Sequence, residues 1–362
     1  MINNYLERQI KENFHFQPTS EQEKAIETLS EFLLSHTSEE IFILRGYAGT
    51  GKTSLVGALV KTMDALKQKS ILMAPTGRAA KVFSLYAGHS AFTIHKKIYR
   101  QKTFSNEQTN FSLNDNLYQH TLFIVDEASM IANDGLSGSV FGTGRLLDDL
   151  IQYVYSGTGC RLLLMGDTAQ LPPVGEEESP ALSATALKGY GLHVREIDLA
   201  QVVRQLSDSG ILWNATSLRR LIAMEELFEF PKVRFSCFAD ICNLSGNELI
   251  ETLEESYQRY GMEETMVICR SNKRANLYNN GIRNRILYRE EELSSGDLLM
   301  VAKNNYYWTE HHKEIDFIAN GDIAVVRRVR HTREMYGFRF AEVQLTFPDY
   351  NDYEMEANIL LD

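Results

Sequence analysis

The sequence predicts an α/β protein in which a parallel sheet carries helices on both faces. Three observations predict it. Short apolar runs alternate with stretches of helical periodicity through the first 200 residues. One of those runs leads directly into a glycine-rich loop that opens a helix. The alternation restarts after about residue 200 and gives way, from about Gly296, to closely spaced β-type runs. Strands alternating with helices imply parallel pairing through crossover connections. Strands buried on both faces read as continuous apolar runs, not as alternating ones.

The elements follow in order. Pro18-Thr19-Ser20 precedes a helix with apolar residues at Ala25, Ile26, Leu29, Phe32 and Leu33, the spacing of one helical face. Ile41 to Leu44 is a short buried strand, and Lys52 to Lys67 is helical. Ile71 to Ala74, Leu122 to Val125 and Leu162 to Met165 are three further strands. Beyond residue 200, Ile211 to Leu221 reads as a helix, Thr265 to Ile268 as a strand and Lys273 to Leu287 as a helix. Leu298 to Val301, Ile323 to Val326 and Glu342 to Leu345 are β-type runs with no helical pattern between them. The glycine- and serine-rich stretch from Ala132 to Gly144 reads as a loop.

Length and composition set the outer bounds. At 362 residues the chain suits two or three domains of roughly 100–200 residues each. Its 44% hydrophobic and 23% charged content is that of a soluble globular protein. No apolar run approaches the roughly 20 residues a membrane span takes, and the first residues lack a basic segment followed by an apolar one. A cytoplasmic protein without membrane contact is expected. Cys160, Cys237, Cys242 and Cys269 form no C-x-x-C pair and read as free thiols.

The net charge of −11 argues against nucleic-acid binding if taken as a sum. The distribution says otherwise. Arg78 to Lys102 holds six basic residues and no acid, and Arg270 to Arg289 holds six more, again without an acid. Such windows in an acidic chain suit a segregated binding face, with solvated helix surface as the plainer reading.

Gly46-Tyr47-Ala48-Gly49-Thr50-Gly51-Lys52-Thr53 satisfies G-x-x-x-x-G-K-[ST] in full, between a strand and a helix. The glycines let backbone N–H groups turn around phosphate oxygens, and the helix N-terminus favours the negative charge. Gly46, Ala48, Gly49, Thr50, Gly51, Lys52, Thr53 and Ser54 are therefore candidate ATP contacts. Lys52 reaches for the β- and γ-phosphates, and the Thr53 hydroxyl is a ligand for Mg²⁺. Asp126-Glu127 closes the strand Leu122 to Val125. Asp126 is assigned to the metal and Glu127 to general base on the attacking water. Gln22 has two readings on chemistry alone. Its amide pairs with the adenine edge, or it completes a capping box with Thr19.

A P-loop and two carboxylates do not separate one ATPase from another. Five further stretches do: Ala74-Pro75-Thr76-Gly77-Arg78-Ala79-Ala80, Thr93-Ile94-His95, Asp126-Glu127-Ala128-Ser129-Met130, Gly166-Asp167-Thr168-Ala169-Gln170-Leu171-Pro172-Pro173-Val174 and Val203-Arg204-Gln205. With the P-loop, and in this order, they resemble the motif series of superfamily 1 helicases. The likeness is greatest to the 5′→3′ branch that contains RecD and Dda. Ile268 to Asn272 and Asn320-Gly321-Asp322 are similar to RecD-like stretches as well.

The resemblance implies RecA-like folds, a helicase core that couples ATP hydrolysis to 5′→3′ movement on single-stranded DNA, and service in DNA repair or recombination. It implies that Gln22 reads adenine, that Gln170 senses the γ-phosphate, and that Arg204 is an arginine finger. Pro75, Thr76, Arg78, Thr93, His95, Lys96 and Lys97 would contact single-stranded DNA. Between residues 99 and 120 the family carries a pin-like element, so Phe104 and Phe111 are candidates to stack at a duplex fork. The other reading is a loop whose phenylalanines tuck into the core.

The family continues with motif V, around H-K-x-Q-G, and motif VI, ending near T-R-A. Neither is found, so the chain is expected to be a fragment of a longer protein. The expected division is a first RecA-like domain over 1–200, the start of a second, incomplete one over 201–295, and a β-rich insertion over 296–362. The rival function is a P-loop ATPase that remodels proteins or acts as a switch, without nucleic acid.

Overall fold

The computed structural model describes residues 2–101, 111–133, 135, 141–201, 209–222, 224, 230–302, 318, 321–350 and 352–361. The chain divides into two compact units. Residues 1–205 and 302–322 make the first, and residues 206–301 and 323–362 the second.

The first unit is built on a six-stranded parallel sheet. Its strands are β1 (Glu40–Gly46), β2 (Lys69–Ala74), β3 (Ala91–Thr93), β6 (Thr121–Val125), β7 (Arg161–Gly166) and β8 (His193–Leu199), in the order β3-β2-β6-β7-β1-β8. A separate antiparallel pair, β4 (Tyr99–Gln101) and β5 (Phe111–Leu113), rises between β3 and β6 in the sequence. The helices are α1 (Ile2–Asn13), α2 (Ser20–Leu34), α3 (Lys52–Ala65), α4 (Gly77–Ala87), α5 (Ile94–Ile98), α6 (Leu146–Ser156) and α7 (Ala184–Lys188). This is the RecA-like α/β arrangement.

Alternate residues of each central strand go to opposite faces, as the period of two requires. Phe42, Leu44, Leu72, Ile124 and Leu163 pack with α1, α2 and α3 in one core. Ile41, Ile43, Met73, Phe123, Val125, Leu162 and Leu164 pack with α5 and α6 in the other. Both sides of the sheet are thus apolar.

β8 lies beyond the expected strands, and its composition explains why. It reads His193-Val194-Arg195-Glu196-Ile197-Asp198-Leu199, with three charged residues, Arg195, Glu196 and Asp198, among its seven. At the sheet edge those charges find partners. Arg45 of β1 donates to Asp198 at 2.6 Å and to Glu196 at 2.7 Å, and Arg195 pairs with Glu31 at 2.8 Å and with Glu40. β3 and α1 were likewise not foreseen.

The second unit holds α8 (Gly210–Ile222), α9 (Leu249–Tyr260) and α10 (Asn272–Arg285), followed by a four-stranded antiparallel sheet. Its strands are β9 (Leu298–Met300), β10 (Ile323–Met335), β11 (Phe338–Phe347) and β12 (Tyr353–Leu360), in the order β12-β11-β10-β9. Thr265 to Ile268, expected as a strand, forms no ladder and runs between α9 and α10. Met266 and Ile268 are exposed, at 72% and 89%, so the apolar run that suggested a buried strand has no sheet neighbour among the described residues.

Candidate functional site

β1 ends at Gly46 and α3 begins at Lys52, so the P-loop occupies the turn between them. Gly49 and Gly51 adopt φ of 83° and 84°, the left-handed region that glycine enters without steric cost. At Gly46 the constraint is space. A Cβ there would stand 2.8 Å from Thr50 Oγ1 and 3.0 Å from the Leu199 carbonyl. The Lys52 ammonium rests on the carbonyls of Gly46 and Tyr47. Those bonds keep the charge at the mouth of the loop, where a phosphate would compete for it.

The loop faces a cavity of about 260 Å³ lined by Lys52, Thr53, Ser54, Asp126, Glu127, Asp167 and Gln170, among others. Asp126 follows β6 directly and accepts the Glu127 N–H at 2.8 Å. Burial, with Glu127 adding to it, lifts the Asp126 carboxyl from the ordinary 3.8 to about 6, against the pull of that N–H and of Lys52. A buried carboxylate that is costly to ionise, next to a hydroxyl at a helix start, is a donor set that suits a hard divalent cation. Glu127 adopts φ of 52°, left-handed for a residue with a Cβ, and caps a short 3-10 turn over Ala128–Met130. Such conformations cost of order 1 kcal/mol or more and cluster at functional sites.

Two residues were not singled out from the sequence, Asp167 in the lining of this cavity and Ser129 behind it in contact with Gln170. Asp167, only 5% exposed, accepts from Ala48 N–H at 3.1 Å and from Ala169 N–H at 2.8 Å, tying the P-loop to the end of β7. Ser129 donates to Gln170 Oε1 at 2.9 Å, fixing the amide beside the Asp126-Glu127 pair. The only signal for either was its place within a quoted motif.

Gln22 is buried and takes the capping geometry. Its Oε1 accepts from Thr19 N–H at 2.9 Å, and its own backbone N–H donates to the Thr19 hydroxyl at 3.3 Å, a complete capping box. Its Nε2 donates to the Thr50 carbonyl at 2.8 Å. One amide therefore joins the start of α2 to the P-loop.

The expected DNA residues fall into two classes. Thr76 and Thr93 are N-caps, accepting from Ala79 N–H and Lys96 N–H at 3.2 Å each. Pro75 and Arg78 flank the first cap, and Lys96 is exposed. Lys97 is instead held in place. It donates to the Tyr118 hydroxyl at 2.6 Å and lies 4.7 Å over the Phe92 ring and 4.8 Å over Tyr118. Burial lowers the His95 imidazole to about 4, despite Asp149 nearby, so it is neutral at physiological pH. In the second basic window, Arg283 and Arg289 both clasp Asp297.

β4 and β5 form a ribbon stem at the place of the expected pin. Phe111 is not at its tip. The ring stacks on Phe141 at 4.8 Å, part of a cluster with Tyr99 and His95. Tyr99 donates to the buried Asp149 at 2.6 Å beneath it. Of the two readings, Phe111 follows the one in which the ring tucks in, because an aromatic neighbour removes more apolar surface from water than a tip position would. Phe104 and Arg204 lie outside the described residues. No helix among those described is long and apolar enough to cross a membrane.

Comparison with known proteins agrees with this geometry. The AAA domain family matches residues 17–221, more than half of the chain. A relative from Acanthamoeba polyphaga mimivirus, uncharacterized protein R530, is 24% identical over 94% of this chain and 70% of its own length. The ATP-dependent RecD2 DNA helicase of Deinococcus radiodurans is 30% identical over 49% of this chain, and the ATP-dependent DNA helicase Pif1 of Bdellovibrio bacteriovorus is 30% identical over 43%. This chain spans 21% and 34% of those two proteins. A crystal structure of Bacteroides sp Pif1 in complex with ADP-AlF4 matches with a TM-score of 0.40 at 17% identity, covering 94% of this chain and 74% of that one. The chain belongs to the AAA domain family.

Proposed function

We propose that this chain is an ATP-dependent DNA helicase core that moves 5′→3′ along single-stranded DNA. The observation that carries the reading is the cavity in the first unit, where Lys52, Thr53, Asp126, Glu127 and Gln170 converge at the mouth of the P-loop. Each residue has a chemical task. The glycines and α3 N-terminus hold the phosphates. Lys52 leaves its two loop carbonyls to neutralise charge on the β- and γ-phosphates. Glu127 orients and deprotonates the attacking water. Gln170, steadied by Ser129, hydrogen-bonds the γ-phosphate without a charge of its own. Arg204 stabilises charge on the transferred group. Thr53 and Asp126 would hold Mg²⁺, which supplies charge neutralisation on the phosphate oxygens when bound.

DNA is gripped at its backbone by the caps at Thr76 and Thr93 with Pro75, Arg78, His95 and Lys96. A neutral His95 contributes one N–H donor and no charge, which suits contact without sequence preference. The ribbon of β4 and β5, with Phe104 near its sequence midpoint, meets the duplex at a fork. The setting is a reducing cytoplasm, in repair or recombination. A strand-displacement assay with matched substrates tests the polarity: a 5′ single-stranded overhang supports unwinding and a 3′ overhang does not. Equal activity on both, or preference for the 3′ overhang, refutes the directional assignment.

A further inference from the structure

Gln170 lines the nucleotide cavity and is exposed. Its amide has two unlike ends, a carbonyl that only accepts and an NH₂ that only donates. The glutamine by itself does not decide which end faces the cavity. The oxygens of a γ-phosphate are negatively charged acceptors, so the NH₂ end attracts them and the carbonyl end repels them.

Ser129 makes the choice. The residue is only 1% exposed. Its hydroxyl donates to Gln170 Oε1 at 2.9 Å, and that oxygen is its one partner among the described residues. With the amide reversed, the NH₂ would donate to the serine oxygen, and the buried hydroxyl hydrogen would lose its acceptor. Folding penalises such a loss. The orientation with Oε1 towards Ser129 satisfies the hydroxyl. It leaves Gln170 Nε2, which donates to no protein group among the described residues, for the cavity.

Both partners are held in place by contacts within the first unit. Glu127, at φ of 52°, turns the chain into the 3-10 turn that carries Ser129. Gly166 at the end of β7 lets that turn come close, since a Cβ there would stand 3.1 Å from Ser129 N and 2.9 Å from the Leu182 side chain. The Gln170 backbone N–H donates to the Asp167 carbonyl at 3.2 Å, closing a tight turn. The Asp167 carboxylate in that turn accepts from the P-loop at Ala48 N–H. The amide is thereby fixed against the P-loop on one side and Asp126-Glu127 on the other.

We infer that Ser129 is a positioning residue that sets the polarity of the Gln170 amide, turning its donor end to the cavity, and that this polarity lets the site tell ATP from ADP. The inference rests on the proposed contact between Gln170 and the γ-phosphate. Ser129 touches no part of the nucleotide in this scheme. ADP lacks the γ-phosphate, so its affinity is indifferent to which end of the amide faces it.

The test measures affinity for Mg·AMP-PNP and for Mg·ADP, kcat for Mg·ATP, and Tm without nucleotide, which reports that each variant is folded. The proteins are the 362-residue chain, Ser129→Ala, Ser129→Thr, Gln170→Ala, Gln170→Glu and the double variant Ser129→Ala/Gln170→Ala. Freeing the amide lets both ends and further rotamers visit the cavity, so Ser129→Ala is expected to weaken AMP-PNP about 5- to 20-fold and lower kcat, with ADP unchanged. Ser129→Thr keeps the hydroxyl and most of the preference for AMP-PNP. The double variant binds AMP-PNP no more weakly than Gln170→Ala, because the two residues act through one contact. Gln170→Glu still accepts from Ser129 but turns an oxygen to the γ-phosphate, so it binds AMP-PNP more weakly than Gln170→Ala does. A parent-like preference in Ser129→Ala, beside its loss in Gln170→Ala, overturns the positioning role and leaves the γ-phosphate contact standing. Equal losses of AMP-PNP and ADP in Ser129→Ala reduce the serine to a support of its own turn. AMP-PNP bound as tightly by Gln170→Glu as by the parent refutes the argument from polarity. An unchanged preference in Gln170→Ala refutes the γ-phosphate contact itself and removes the basis of the inference.

Discussion

Replacing Asp126 by Asn should stabilise the nucleotide-free protein while disabling it. The Asp126 carboxyl is lifted from 3.8 to about 6, with burial the largest cause. A carboxyl raised in this way holds its proton in the folded chain between about pH 4 and 6 and has released it in the unfolded one. Folding therefore takes up a proton in that window, and the parent gains stability as pH falls through 6. Above pH 6 the folded state bears the cost of a buried charge. Two pK units correspond to about 3 kcal/mol, and partial hydration from the cavity brings the expected gain for Asn to roughly 2 kcal/mol at pH 8. The side-chain oxygen of Asn still accepts the Glu127 N–H, so the local turn is kept. Thermal unfolding followed by circular dichroism, in EDTA, measures the effect. A gain of about 2 kcal/mol amounts to roughly 4–8 °C in Tm for a unit of this size. The gain should vanish as pH approaches 4, and Mg·ATP should raise the Tm of the parent but not of the variant. A variant less stable than the parent at pH 8, or a gain that does not change with pH, refutes the argument from burial.

The remaining predictions concern other parts of the first unit. Lys52→Ala should abolish hydrolysis, and Glu127→Gln should bind nucleotide normally while turnover falls about 10²- to 10⁴-fold; near-normal turnover in the latter would falsify the general-base assignment. Lys96→Ala should lower the slope of log affinity against log salt for single-stranded DNA by about 1, whereas Lys97→Ala should chiefly lower stability, by about 1 kcal/mol, through lost contacts with Phe92 and Tyr118. Tyr99→Phe should cost about 1–3 kcal/mol by taking one donor from the buried Asp149, which chemical denaturation reads directly.

The phosphate site was legible in the sequence because its chemistry is local. A strand, five turn residues and a helix start bring Gly46 to Thr53 together without help from the rest of the chain. Asp126 and Glu127 were legible because an apolar strand delivers them to the same sheet edge. β8 was not, since its three charges make sense only once Arg45, Glu31 and Glu40 stand opposite them. Gln22 was readable as a cap or as an adenine contact, but its bond to Thr50 spans 28 residues and has no sequence signature. Lys97 and Arg283 looked like free basic surface for the same reason: the partners that absorb them, Tyr118 and Asp297, are brought near by folding. Phe111 is the clearest case. Polar neighbours suggested exposure, and Phe141, 30 positions on, supplies the ring it stacks against.

The claim that ATP turnover here serves movement on DNA is tested most directly by one comparison. Mg·ATP hydrolysis by the chain is measured with and without single-stranded DNA, across a salt series, beside Glu127→Gln as the inactive reference. The account predicts hydrolysis that rises on adding single-stranded DNA and a stimulation that weakens steadily with salt, as phosphate contacts require. Hydrolysis indifferent to DNA at low salt, with Glu127→Gln still inactive, would show an ATPase whose turnover serves something other than nucleic acid.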